Sequence, residues 1–209
     1  MSLFPKPSVY FYGGLCGIIG TSCYVAANAI PLNQTGLYIL AMSWPILSII
    51  FVYSLYHYIS IEHQSAYNQL AFLFACLGFT LVACMMSVQM AVVFGMESYI
   101  KEAAGKEELL KLLKSSIRLV DHGIDVAWDL FIGTSLIFLF FAFKAHSRFG
   151  LLWGVPSVVL GTLLIVFNVI SFPWPPGDEG LIDIGPVIGI YIIALSIKLI
   201  LTGKTKINQ

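Results

Sequence analysis

Residues 106–143 read KEELLKLLKSSIRLVDHGIDVAWDLFIGTSLIFLFFAF, a charged, Leu-rich opening that runs without a proline into a long apolar stretch. From Gly123 to Phe143 the chain stays apolar over a length that, at about 1.5 Å per helical residue, crosses the ~30 Å hydrocarbon core of a bilayer. Five further stretches pass the same test: Val9 to Ile30, Leu37 to Tyr58, Leu70 to Val93, Leu151 to Phe172 and Ile184 to Leu201. All six are continuous and rich in Leu, Ile and Phe, whereas a transmembrane barrel shows segments of about ten residues with alternating polarity. The expected fold is therefore all-α. It is a polytopic bundle of six transmembrane helices, a single integral membrane domain over residues 1–209, with a short amphipathic extension before the fourth helix.

Composition agrees with that solvent. Of 209 residues 58% are hydrophobic and 11% charged, with mean hydropathy +0.89, against about a quarter charged in an ordinary soluble domain. Eleven basic residues balance eleven acidic ones, so no basic surface exists to hold a nucleic acid backbone, and nucleic acid partners are excluded. The expected partners are the lipid bilayer and, beyond it, a membrane-protein partner or a second copy of the chain. No cofactor is specified. Ala27-Asn28-Ala29 resembles a signal-peptidase site, but a single Lys6 precedes an apolar run too long for a signal peptide, so the first span is expected to be a retained helix.

Six bases (Lys6, Lys144, Arg148, Lys198, Lys204 and Lys206) fall on one side of such a bundle and five (Lys101, Lys106, Lys111, Lys114 and Arg118) on the other. Lys6 ahead of the first span and the lack of any base in residues 31–35 place both termini in the cytoplasm. Cys16, Cys23, Cys76 and Cys84 all lie in spans without Cys-x-x-Cys spacing, and are expected as buried free thiols. Pro45 and Pro156 lie inside spans and Pro186 near the start of one, which a bundle tolerates because neighbours satisfy the freed carbonyls. Ile19-Gly20-Thr21-Ser22 recurs as Ile132-Gly133-Thr134-Ser135 in the first and fourth spans. An inverted three-plus-three repeat would produce this, but so short an identity arises readily by chance, and the other spans do not align.

The chemistry concentrates in residues 97–129. Glu97 and Lys101 are four apart on an extension of the third helix, with Gly105 as its stop. Beyond it, acids at Glu107 and Glu108 open a new helix. At 100° per residue Leu109, Leu113, Ile117 and Val120 share one face, and Glu107, Lys111, Lys114 and Arg118 the opposite one. This piece either lies along the membrane surface or stands up as the first turns of the fourth span. In the second case the wheel carries Asp121, His122, Asp125 and Asp129 into the bilayer in the sector of Lys114 and Arg118. An ionised Asp at a helix centre costs about 2.5 to 3.5 kcal/mol, so the acids must face protein, water or each other. Either at least one is protonated, or Arg118 or His122 compensates, or a cation sits among them. The start of the fourth span shares an end of the bundle with the ends of the third and fifth. Gln89 and Glu97, Asn168 and Trp174, and Asp178, Glu179 and Asp183 then converge on a polar vestibule, with Asn28 and Trp44 at the same end. The opposite end carries His57, Glu62, His63 and His146 in or beside short loops.

Several functions fit this pattern. The stripe Asp121, His122, Asp125 and Asp129, with Asp183, Gln89 and Asn168, is the candidate site for a proton, a cation or a small polar ligand, with Trp44, Trp128 or Trp174 nearby. The protein would then be transporter-like or receptor-like. The structural alternative is interhelical glue worth about 0.6 to 2 kcal/mol per contact. A subunit of a larger membrane complex, docking through the hairpin around Gly105, belongs to a different class. A metal-dependent membrane hydrolase using His122, Asp125, Asp129 and Asp183 is a further one, without a His-Glu-x-x-His or Gly-x-Ser-x-Gly motif to support it. Haem between helices needs paired intramembrane histidines, and His57 and His146 lie at the other face from His122. Met85, Met86 and Met90 beside Cys84 read as gap-filling core rather than a soft-metal site.

In the fourth span Asp121, Asp125 and Phe131-Ile132-Gly133 form an acid, a short gap, a second acid and an aromatic-x-Gly. After them come a small basic turn, His146-Ser147-Arg148-Phe149-Gly150, a Gly-containing fifth span and a last span after a proline-bearing loop. Over about the last ninety residues this layout resembles the bacterial integral membrane proteins grouped as domain of unknown function 4386. The resemblance implies a six-helix protein of the bacterial cytoplasmic membrane and supplies no activity.

Overall fold

The computed structural model describes residues 8–102 and 107–205. Six helices follow in chain order: α1 (Ser8–Ala29), α2 (Gln34–Glu62), α3 (Ala66–Glu102), α4 (Glu107–Lys144), α5 (Gly150–Ser171) and α6 (Gly185–Thr205), with no strand among the described residues. Each contains a segment long and apolar enough to cross a membrane, as expected of a multi-pass membrane protein. The helices outrun several of the apolar stretches that announce them, because helical hydrogen bonding continues into polar ends such as Glu62 and Thr205 that a hydropathy window excludes. Asn33 caps α2 by accepting from the Gly36 backbone N–H at 2.8 Å. Pro45 and Pro156 sit inside unbroken helices, and Pro186 falls in the first turn of α6, where its missing donor costs nothing.

Each helix from α1 to α4 packs on the next, and α6 packs on α1 with a smaller contact to α2. The ring closes between α5 and α6 through Tyr191, whose hydroxyl donates to the Trp153 carbonyl at 2.6 Å and meets the Ser157 hydroxyl at 2.5 Å. Two close crossings depend on glycine. A Cβ on Gly161 of α5 would stand 2.5 Å from the Gly133 carbonyl oxygen of α4, and one on Gly17 of α1 would meet Ser196 and Phe51; small residues let helix backbones approach where lipid offers no hydrophobic drive. Buried hydrogen bonds fix register elsewhere. Asn68, 1% exposed, donates to the Tyr56 carbonyl at 3.1 Å and the Ser60 hydroxyl at 2.9 Å, and Ser135 of α4 donates to the Ala71 carbonyl of α3 at 2.7 Å.

Both described ends of the chain lie at one end of the bundle, where Gly203 packs against Tyr10. There Glu62 at the end of α2 accepts from the backbone N–H and the hydroxyl of Ser147, at 2.7 and 2.8 Å, and stands 3.3 Å from Nε2 of the buried His146. At the other end α3 and α4 are the longest helices: α3 has 37 residues and α4 38, against 29 in α2 and 22 in α1 and in α5, an excess of about 12 Å over α2 and about 23 Å over α1 and α5 at 1.5 Å per residue. The amphipathic piece thus stands up as the first turns of α4 and does not lie apart from it. Its packing differs from the wheel, since Leu109, Leu113 and Val120 are exposed and the half-buried positions are Leu110 and Ile117. The expected break at Gly105, Lys106 beside it, Lys6 and Lys206 lie outside the described residues, as does the side chain of Glu97. All four cysteines are free, but none is buried as expected: Cys16, Cys23 and Cys76 are half-buried and Cys84 is exposed.

Candidate functional site

The unbroken course of α4 carries its polar stripe down between α3 and the α5–α6 side of the ring, and the stripe divides by depth. Asp121, first on the way in, accepts a hydrogen bond from the Gln89 amide of α3 at 2.8 Å through Oδ2. Its Oδ1 is buried with no partner among the described residues, as is Nε2 of His122. The His122 ring meets Trp174 of the α5–α6 loop edge-on at 6.2 Å. One turn deeper, Asp125 accepts from the Trp128 indole N–H at 2.7 Å through Oδ1 and lies within electrostatic reach of Asp121, His122 and Asp183.

Around Asp121, His122 and Asp125 opens a partly open cavity of about 250 Å³ between α1, α2, α3 and α4, with Pro175 of the α5–α6 loop in its wall. Tyr24 and Asn28 enter from α1, Leu37 and Ala41 from α2, and Met85, Met86, Gln89 and Met90 from α3. Aromatic rings support this end of the bundle. Tyr24 packs on Trp44 at 4.0 Å, and Trp44 meets Trp128 edge-on at 5.9 Å. The Tyr24 side chain lies within electrostatic reach of Asp183, Asp125 and Asp129. Among the described residues no Lys or Arg lines the cavity; Arg118 and Lys114 are exposed, so of the two partners considered for the acids only His122 stands at the cavity.

Asp129 does not reach the cavity. It is 8% exposed, with the Asn168 side chain of α5, 1% exposed, beside it. Asn168 donates its amide to the Leu164 carbonyl at 2.9 Å and leaves Oδ1 buried without a partner among the described residues. Asp129 and Asn168 thus form a separate polar pair below the pocket. Asp183 is exposed, and its Oδ1 accepts from the Gly185 N–H at 2.8 Å, a local cap on the first turn of α6; it adds its charge to this end of the bundle without entering the cavity. Asp178 and Glu179 are exposed in the loop.

Of the seven candidate residues, Gln89, Asp121, His122 and Asp125 come together at the cavity, Asp129 and Asn168 pair beneath it, and Asp183 stands outside. Tyr24, Leu37, Ala41 and Pro175 line the cavity without having been singled out, and the methionines serve both as core and as wall: Met85 is 5% and Met86 8% exposed. Among the described residues no three His, Cys, Asp or Glu side chains converge as metal ligands. The chain matches no family model, no curated protein and no solved structure at a significant level, so the site is read from its own geometry.

Proposed function

We propose that this protein binds a cation, a proton or a small polar ligand in the acidic pocket between α1, α2, α3 and α4, and that it works as a transporter-like or receptor-like membrane protein. One observation carries the reading: two carboxylates line a cavity that no Lys or Arg among the described residues enters. Part of the interhelical glue is there, since Gln89 donates to Asp121 across α3 and α4, but glue alone would not leave Asp121 Oδ1 and His122 Nε2 buried without a partner among the described residues, because an unpartnered buried polar atom forfeits its hydration. We further propose that the chain resides in the bacterial cytoplasmic membrane, as the resemblance to the domain-of-unknown-function 4386 proteins implies, with both termini cytoplasmic. The pocket then opens toward the opposite face.

The test uses Asp125→Asn. If the pocket holds a cation or proton, the wild-type protein in detergent shows a cation- or pH-dependent shift in thermal unfolding that the variant loses. An unchanged dependence in the variant would favour interhelical glue. A second reading, an accessory subunit of a larger membrane complex, is favoured by the exposed Leu109, Leu112, Leu113 and Leu119 on the tall start of α4; it predicts a partner that co-purifies in mild detergent and is lost when those leucines become Gln. The metal-dependent hydrolase draws no support from a site where donors do not converge.

A further inference from the structure

The dimensions and the hydrogen-bond accounting of the pocket say more about its guest than its charge does. At about 30 Å³ per water molecule, a cavity of about 250 Å³ has room for roughly eight waters. That is far more than a bare ion fills and fits a metabolite of modest size. Its polar groups are half spoken for. Gln89 occupies one oxygen of Asp121 and Trp128 one oxygen of Asp125, while Asp121 Oδ1 and His122 Nε2 remain buried and unpartnered among the described residues. A carboxylate oxygen accepts hydrogen bonds and cannot donate, so what completes Asp121 must bring N–H or O–H donors and, facing two acids with no Lys or Arg beside them among the described residues and His122 left as an acceptor, positive charge. The rest of the wall is apolar and pliable: Leu37, Ala41, Met85, Met86 and Met90. Thioether side chains adapt to an aliphatic body, and the Tyr24 ring offers a face to a cation.

We propose that the ligand is a small organic ammonium ion, a primary amine on a short aliphatic body. Its N–H donors satisfy Asp121 Oδ1, the second oxygen of Asp125 and His122 Nε2, and its carbon chain lies against the methionine wall. This rests on the reading of the pocket as a binding site and names its substrate class. It distinguishes an ammonium that donates hydrogen bonds from three relatives: a quaternary ammonium, which has charge and body but no donor; a neutral alcohol, which has donor and body but no charge; and an inorganic cation, which has charge alone and finds no three converging His, Cys, Asp or Glu side chains among the described residues.

The test is thermal unfolding of the full chain in a non-ionic detergent with four probes at matched ionic strength: n-butylammonium, tetramethylammonium, n-butanol and sodium, with the summed fluorescence of the four tryptophans, of which Trp44, Trp128 and Trp174 lie at this end of the bundle, as a second readout on the unmodified protein. The expected result is a saturable rise in Tm and a fluorescence change with n-butylammonium, weaker with the other three. Asp121→Asn should weaken the apparent affinity by about thirtyfold, the loss typical of a charge pair broken in a desolvated site. Should that variant fail to fold, Asn28→Trp, which fills the cavity from its exposed mouth, should abolish the effect instead. A response to sodium, tetramethylammonium or butanol equal to or larger than that to n-butylammonium, and dependent on Asp121, would overturn the amine while leaving the pocket a binding site. No saturable response to any probe would overturn both.

Discussion

The close approach of α4 and α5 at Gly133 and Gly161 gives a prediction whose sign depends on position. Gly161→Ala places a methyl 2.5 Å from the Gly133 carbonyl oxygen and 2.9 Å from Leu136 Cβ, where ordinary contact begins at 3.4 Å. The first obstacle is helix backbone, which cannot rotate aside, so α4 and α5 must part by most of an ångström. Overpacking of this kind costs about 1–3 kcal/mol, and an obstacle of backbone puts the cost near the upper end. Alanine returns about 0.8–1 kcal/mol of helix propensity, leaving a net loss of about 1–2 kcal/mol. The control lies in α4 itself: a Cβ on Gly123 meets nothing within 4 Å, so Gly123→Ala keeps the propensity gain alone. At about 2–4 °C per kcal/mol for a chain of this size, thermal unfolding in detergent should show Gly161→Ala lower by about 2–8 °C and Gly123→Ala higher by about 2–4 °C. A Gly161→Ala protein as stable as the parent, or stabilised like Gly123→Ala, would refute the backbone contact and the ring order built on it.

Two further substitutions probe the end of the bundle that bears the termini. Glu62→Ala removes the acceptor of both Ser147 hydrogen bonds and the neighbour of His146; with the carboxylate partly solvated, the loss should be about 1–2 kcal/mol, and proteolysis should quicken in the turn at 145–149 rather than in the α1–α2 loop. Asn68→Leu deletes two hydrogen bonds from a side chain 1% exposed and should cost about 1–3 kcal/mol in the same unfolding assay; an unchanged Tm would mean that the α2–α3 hairpin does not rely on that amide.

The helices and the polar stripe were legible for the same reason: both are periodic and local. Asp121 and Asp125 are four residues apart, so continuing the helical wheel from Lys114 and Arg118 was enough to place them on an inward face once α4 was taken as continuous. What the wheel could not supply was depth relative to neighbours. Asp129 obeys the same spacing, yet it leaves the cavity and pairs with Asn168, because the stripe turns by about 40° at each i+4 step and by Asp129 it faces α5. Asp183 was legible as an acid at the right end, but its Oδ1 is spent on the Gly185 N–H, a local cap indistinguishable in sequence from a site residue. Tyr24 and the methionine wall gave no signal, since an aromatic or a Met inside an apolar helix reads as core until a cavity is found beside it. The Glu62–Ser147 contact joins residues 85 apart in sequence, and nothing in either short loop points to the other.

The central claim, that the acidic pocket holds a guest, is tested most directly by an experimental density map of the protein purified gently from its native membrane in non-ionic detergent. The account predicts density beyond that of single waters between Tyr24, Met86, Asp121 and Asp125, within hydrogen-bond distance of Asp121 Oδ1. A map in which Arg118 turns inward to pair Asp121 and Asp125, or in which the methionines close the cavity, would contradict it.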